Sequence, residues 1–143
     1  CAKAKEVSQN FPEAIVIGGD QMCIYNNEVF DKPGTREKAI SNLLKLSGTS
    51  HFQYSGICLY KSGQSLWEYC EYAEMVMHKL EQSEIENYVD IENPINAAGA
   101  YKFESLGCNL FQSVIGSSYT VRGMPLLPLL NKLRELGIID LNK

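Results

Sequence analysis

Three side chains stand where chemistry is feasible: Asp20, directly after Gly18-Gly19; Lys32, ahead of Pro33-Gly34; and Glu104, inside the small-residue run AAGAYKFESLG. A carboxylate behind a strand and a glycine turn sits where α/β sheets present functional groups, able to polarise water or hold a metal ion. Taken locally, the same aspartate could equally serve as a turn or helix-capping residue. Lys32 could neutralise an anion or be an ordinary solvated loop lysine. Small residues around Glu104 let a backbone approach a ligand closely, and they also simply turn. Each signal is unspecific on its own.

The elements that must position them follow from periodicity and breakers. Residues 1–10 are polar and helix-compatible, and Phe11-Pro12 ends that stretch because the residue before proline is pushed out of helical space. Ala14 to Gly18 is a short β-branched run that predicts a buried strand, closed by a Gly-Gly-Asp turn. Met22 to Tyr25 predicts a second short strand, with Asn26-Asn27 as a hairpin turn and Val29-Phe30 returning. Thr35 is suited to cap a helix over 36–46, and Gly48 to terminate it. Two long strands, 51–60 and 64–78, flank Lys61-Ser62-Gly63. Ser83-x-x-Glu86 has capping-box spacing for a short helix through Val89, and Asn93-Pro94 breaks it. A loop over 96–107, a strand over 110–115, a turn-bearing segment over 117–123 and a final helix from Pro125 to about Leu136 complete the chain. This order predicts an α/β fold, a mixed twisted sheet with flanking helices.

At 143 residues the chain has the size of one domain, and 45% hydrophobic with 21% charged residues is globular composition. A net charge of −4 argues against a whole-surface nucleic-acid binder but leaves room for a local basic pocket. Five cysteines without a CxxC pair suggest neither a disulfide framework nor a zinc site, so Cys23, Cys58, Cys70 and Cys108 are expected as small core fillers. No apolar run approaches the roughly 20 residues that span a bilayer, and no signal peptide is visible, so the expected compartment is the cytoplasm. His51 is expected at a strand end near the cleft and His78 in solvent. Trp67, Tyr69, Tyr72 and Met75 are expected as a sheet surface or the contact of a possible homodimer.

The order of motifs carries more than any one of them. VIGGDQ (16–21), DKPG (31–34), LSGTSHFQYSG (46–56), NAAGAYKFESLG (96–107) and RGMPL (122–126) together resemble the Maf family of septum-formation-associated nucleoside triphosphate pyrophosphatases, over essentially residues 1–143. The resemblance implies a Maf/inosine-triphosphatase-like fold. It implies hydrolysis of a nucleoside triphosphate between the α and β phosphates with a divalent metal, Mg2+ or Mn2+. It makes Asp20 the catalytic aspartate and a possible metal ligand, and Lys32 and Lys3 the lysines that face the phosphates. Gln21 and Glu104 resemble the subgroup acting on 7-methyl-GTP. A carboxylate can accept two hydrogen bonds from a guanine N1–H and N2–H₂ edge and would attract a methylated, cationic ring.

The chain also departs from the family pattern. Asp31 replaces the usual Gly before Lys32, Thr49 stands where Arg is common, and Arg122 occupies a usually apolar position before Gly123. Family members begin with a strand and a Ser- and Arg-rich phosphate loop of the form LASxSPRR, which nothing here matches. The resemblance therefore implies a truncated domain lacking that strand and loop. The alternative expectation is a nucleotide-binding remnant with a regulatory role in cell division and impaired catalysis.

Overall fold

The computed structural model describes residues 1–142. Helix α1 (Ala2–Asn10) leads into strand β1 (Val16–Tyr25), and β2 (Glu28–Phe30) folds back on it through Asn26 and Asn27, both at positive φ as a tight hairpin turn requires. Helix α2 (Arg36–Leu46) starts at Thr35, whose hydroxyl accepts from the Lys38 N–H at 3.2 Å. Strands β3 (Ser50–Lys61) and β4 (Gln64–Met77) form the long hairpin predicted around Lys61-Ser62-Gly63. Helix α3 (Gln82–Glu92), two short 3-10 turns, β5 (Phe111–Ile115), the single turn α4 (Ser118–Val121) and α5 (Leu126–Glu135) follow.

The sheet runs β2-β1-β3-β4-β5, and every pairing among the described residues is antiparallel where a mixed sheet was expected. The reason lies in β2. It reverses the chain before α2 begins, so β3 enters antiparallel to β1 although a helix intervenes. The α/β class with flanking helices stands.

Side chains at Cys23, Ala73, Met75 and Met77 point to the face that α2 and α3 cover, where they pack with Leu43, Leu46, Ile85 and Val89. A second cluster sets Ile57 and Leu59 under Leu129 and Leu133 of α5. Burying a Leu or Met of this kind stabilises by roughly 1.5–3 kcal/mol each. On the opposite face α1 covers only the end near Gly18 and Cys58, and Phe52, Tyr54 and Tyr72 form an open aromatic group with centroids 5.2–6.3 Å apart.

Several local expectations are corrected. β1 is one continuous strand, not two strands around a turn, and Gly18 and Gly19 lie in its interior. Gly18 is there for close packing: a Cβ would sit 2.7 Å from Cys58 Sγ and 2.8 Å from the Ala4 methyl. The strand is also not buried, since Ile17 is 45% exposed and β1 pairs with β2 only over Cys23–Tyr25. The α3 capping box is made by Glu81 and Glu84 rather than Ser83 and Glu86. Cys1 and Cys58 are joined as a disulfide, contrary to the expectation of unpaired cysteines, because α1 lies directly on the sheet there. Cys70 and Cys108 are exposed, so only Cys23 is a free core thiol. Met75 is fully buried and Trp67 packs on the second cluster, which leaves Tyr72, 57% exposed, as the surface residue of the four expected at a contact. No helix among the described residues is long and apolar enough to cross a membrane.

Candidate active site

Asp20 lies mid-strand, paired across β3 to Gly56. Because β1 is unpaired on its outer edge here, the Gln21 N–H has no strand partner and donates to Asp20 Oδ1 at 2.9 Å. That bond steadies the carboxylate and leaves Oδ2 open to solvent. Asp20 borders four cavities, and two of them hold the lysines expected from sequence. One, about 420 Å³, is lined by Asp20, Gln21, Lys32, Lys102, Glu104 and Arg122, with Gln53 and Tyr101 among its further walls. The other, about 610 Å³, lies between α1 and the free edge of β1 and carries Lys3, with Gly19 and Asp20 shared. The five site residues expected from sequence are thus grouped in space: four line one cavity, and Lys3 lines its neighbour.

Each is held for a physical reason. Lys32 is carried by a loop whose Gly34, at φ +76°, donates its N–H to Ile95 O at 2.8 Å, beside Asn96 of the cavity wall. Glu104 sits on a tight loop over residues 102–107 in which the N–H groups of Ser105 and Gly107 both donate to Lys102 O. Gly107 has no substitute there, as a Cβ would meet Lys102 O at 2.3 Å. From α3, Tyr88 Oη accepts from the Lys102 N–H at 2.9 Å, and Glu92 accepts from Ser105 Oγ and the Leu106 N–H, both at 3.1 Å. Among the described residues Glu104 and Lys102 form no ion pair, so both charges remain available to the cavity. Three cations and two carboxylates line this wall, giving a locally positive site on a chain of net charge −4.

The sequence did not reveal the cavity floor. Gln53 Nε2 donates to Tyr101 Oη at 2.6 Å, and His51 Nε2 lies 2.8 Å from the same hydroxyl. Both side chains are fully buried, which holds the His51 imidazole neutral, its pKa lowered to about 4 by desolvation. Burial likewise pushes Tyr101 up and raises the Cys23 thiol to about 12. His51 Nδ1 and Gln53 Oε1 are buried without a partner. His51 therefore supports the floor and does not reach the cavity wall, whereas His78 is exposed as expected. Strand alternation could have flagged His51 and Gln53 as inward-facing; their shared partner Tyr101, 50 and 48 residues away, could not be read locally.

Among the described residues no three Asp, Glu, His or Cys side chains gather closely enough to cage a metal ion. A hard divalent cation would find a single carboxylate at this junction, and Asp20 Oδ2, the oxygen not bonded to the Gln21 N–H, could hold it.

Known proteins resemble this chain over most of its length. A family model described as Maf-like protein matches residues 1–136. A protein named nucleoside triphosphate pyrophosphatase from Legionella pneumophila (strain Lens) is 42% identical over 139 residues, covering 97% of this chain and 70% of that protein. Proteins named 7-methyl-GTP pyrophosphatase from Rhizobium etli and Bartonella henselae are 43% and 42% identical over 141 residues, each covering 97% of this chain and 71% of the relative. With its motifs grouped around one pair of clefts and a family match across nearly its whole length, the chain belongs to the Maf family, among relatives that are nucleotide pyrophosphatases.

Proposed function

We propose that this protein is a nucleoside triphosphate pyrophosphatase that cleaves the α–β phosphoanhydride of a methylated guanosine triphosphate, 7-methyl-GTP, to the monophosphate and pyrophosphate. The observation that carries the reading is Asp20 at the junction of two cavities, one with Lys32, Lys102, Arg122 and Glu104, the other with Lys3. A triphosphate of about four negative charges laid across that junction places an anhydride beside the carboxylate and its phosphates among the cations.

Asp20 polarises the attacking water or holds the metal, with Oδ1 fixed by the Gln21 N–H and Oδ2 free. Water adds to phosphorus, its proton passes to solvent or the carboxylate, and the bridging oxygen leaves with its electron pair. Lys3 and Lys32 offset the charge that builds on the departing phosphate. A Mg2+ or Mn2+ ion, when bound, would supply charge neutralisation at the phosphate oxygens. Gln21 shapes the wall next to the reacting group. Glu104 accepts from the guanine N1–H and N2–H₂ edge and attracts the positive charge of the methylated ring. The names of the Rhizobium and Bartonella relatives support this finer choice.

The test is pyrophosphate release from a panel of nucleotides. The expected result is metal-dependent turnover with 7-methyl-GTP preferred over GTP. Glu104→Gln should shrink that preference by about tenfold, the size of one charge-assisted hydrogen bond. Release from no nucleotide sinks the enzymatic reading and favours a binding remnant; an unchanged preference in Glu104→Gln sinks the base assignment alone.

A further inference from the structure

Arg122 is exposed, lines the same cavity as Asp20 and Lys32, and pairs with no carboxylate among the described residues. Its backbone is held with unusual thoroughness for a charged surface residue. Gln21 of β1, Ser55 of β3 and Glu71 of β4 stand side by side in register across three strands. All three reach the turn that carries Arg122. Gln21 Nε2 donates to Val121 O at 2.6 Å, Ser55 Oγ donates to Thr120 O at 2.6 Å, and Thr120 Oγ1 donates to Glu71 Oε1 at 2.5 Å. Ser55 and Thr120 are completely buried. Tyr69 Oη donates to the second Glu71 oxygen at 2.7 Å, so that carboxylate is fully engaged. The Arg122 N–H closes on Ser118 O at 3.1 Å, and Gly123, at φ +108°, turns the chain away.

Hydrogen bonds from three strands, the central one fully buried, are far more than a solvated arginine needs to stay in water. They fix where its Cα sits relative to Asp20, because Gln21 is the next residue along β1. A guanidinium offers a planar fork that matches phosphate oxygens two at a time, which a lysine cannot. We infer that Arg122 is a phosphate-binding residue of this chain, clamping the polyphosphate beside Asp20, and that the Gln21–Ser55–Glu71 row is the device that positions it. The inference rests on the pyrophosphatase reading for its substrate, but its binding chemistry can be tested without turnover.

Inorganic tripolyphosphate is titrated calorimetrically into the full chain and its variants. Arg122→Leu should bind about tenfold more weakly, Arg122→Lys should fall between, and the dependence on salt should be shallower in Arg122→Leu. Equal binding by wild type and Arg122→Leu, or no binding by wild type, overturns the assignment. For the positioning row, Ser55→Ala should weaken binding about threefold in the wild type and not at all in the Arg122→Leu background, with Ser55→Thr restoring it. A loss of the same size in both backgrounds, or no rescue by threonine, overturns the positioning role. Melting temperatures establish that each variant is folded. Should wild type bind tripolyphosphate through Arg122 yet release no pyrophosphate from any nucleotide, the enzymatic reading fails and this one stands.

Discussion

Two neighbouring rows of residues cross the same three strands and do opposite things. Asp20, Gly56 and Cys70 stand in register on one face, while Gln21, Ser55 and Glu71, one residue along, stand in register on the other. The second row is spent on structure: each side chain is bonded to the turn carrying Arg122. The first row is left open. Gly56 contributes no side chain, Cys70 is an exposed thiol, and Asp20 bonds only to its neighbour's N–H. A group that must meet substrate is useful when nothing else in the protein competes for it. Its position is secured by the rigidity of the row beneath, because strand alternation places consecutive residues on opposite faces.

Four measurements would break or sharpen that contrast, beginning with the largest effect. Asp20→Asn should cut pyrophosphate release by about 10²–10⁴-fold while leaving the melting temperature unchanged. Turnover at the wild-type rate would remove Asp20 from the chemistry.

Acid titration comes next. His51 shares the covered face with Ser55, and its pKa falls from 6.5 to about 4 on burial. The unfolded chain therefore binds that proton more readily, so the stability that neutral His51 contributes is complete above pH 6.5 and is lost as pH falls toward 4. The loss should reach at most about 3 kcal/mol, measured by urea denaturation. A His51→Asn variant should lack that slope whatever its absolute stability; an identical slope in the variant would assign the acid sensitivity elsewhere.

A matched pair then compares the rows directly. Ser55→Ala leaves the buried Thr120 carbonyl without its donor and should destabilise by about 1–3 kcal/mol. Cys70→Ser, in the open row, should change stability by less than about 0.5 kcal/mol. Equal effects in a denaturation experiment would mean that the two rows are not divided as described. Last, Thr35→Ala removes the α2 cap and should cost about 1 kcal/mol without altering turnover.

Much of the fold was legible because local signals agreed with one another. Thr35 and Gly48 bracket α2, Lys61-Ser62-Gly63 joins the two long strands, and Pro125 and Gly137 bound the last helix. The misreadings share one cause, which is that a residue's local meaning depends on a neighbour distant in sequence. Gly18-Gly19 reads as a turn, but Gly18 is small because Cys58 and Ala4 crowd it. Cys1 and Cys58 read as unpaired, but α1 brings them together across 57 residues. Ser83 has the better capping chemistry, yet Glu81 and Glu84 take the role, with Leu80 already held by its N–H to Ser47 Oγ at 2.7 Å. For the site, Asp20, Lys32, Lys3, Gln21 and Glu104 came from the order of motifs along the chain. Arg122 stood out only as a departure from the family pattern, and nothing local paired Gln53 with Tyr101.

The sequence by itself determined the family, most of the strand and helix segments, and the order of the candidate charged residues along the chain, since these rest on residue type and spacing. Tertiary structure alone decided that Asp20 lies mid-strand at an open edge, that Lys3 and Glu104 belong to adjoining cavities, and that Gln21, Ser55 and Glu71 bond to one turn. The physical reason is strand register. It sets which residues of distant segments face each other, and antiparallel pairing through β2, rather than any local preference, set the register here.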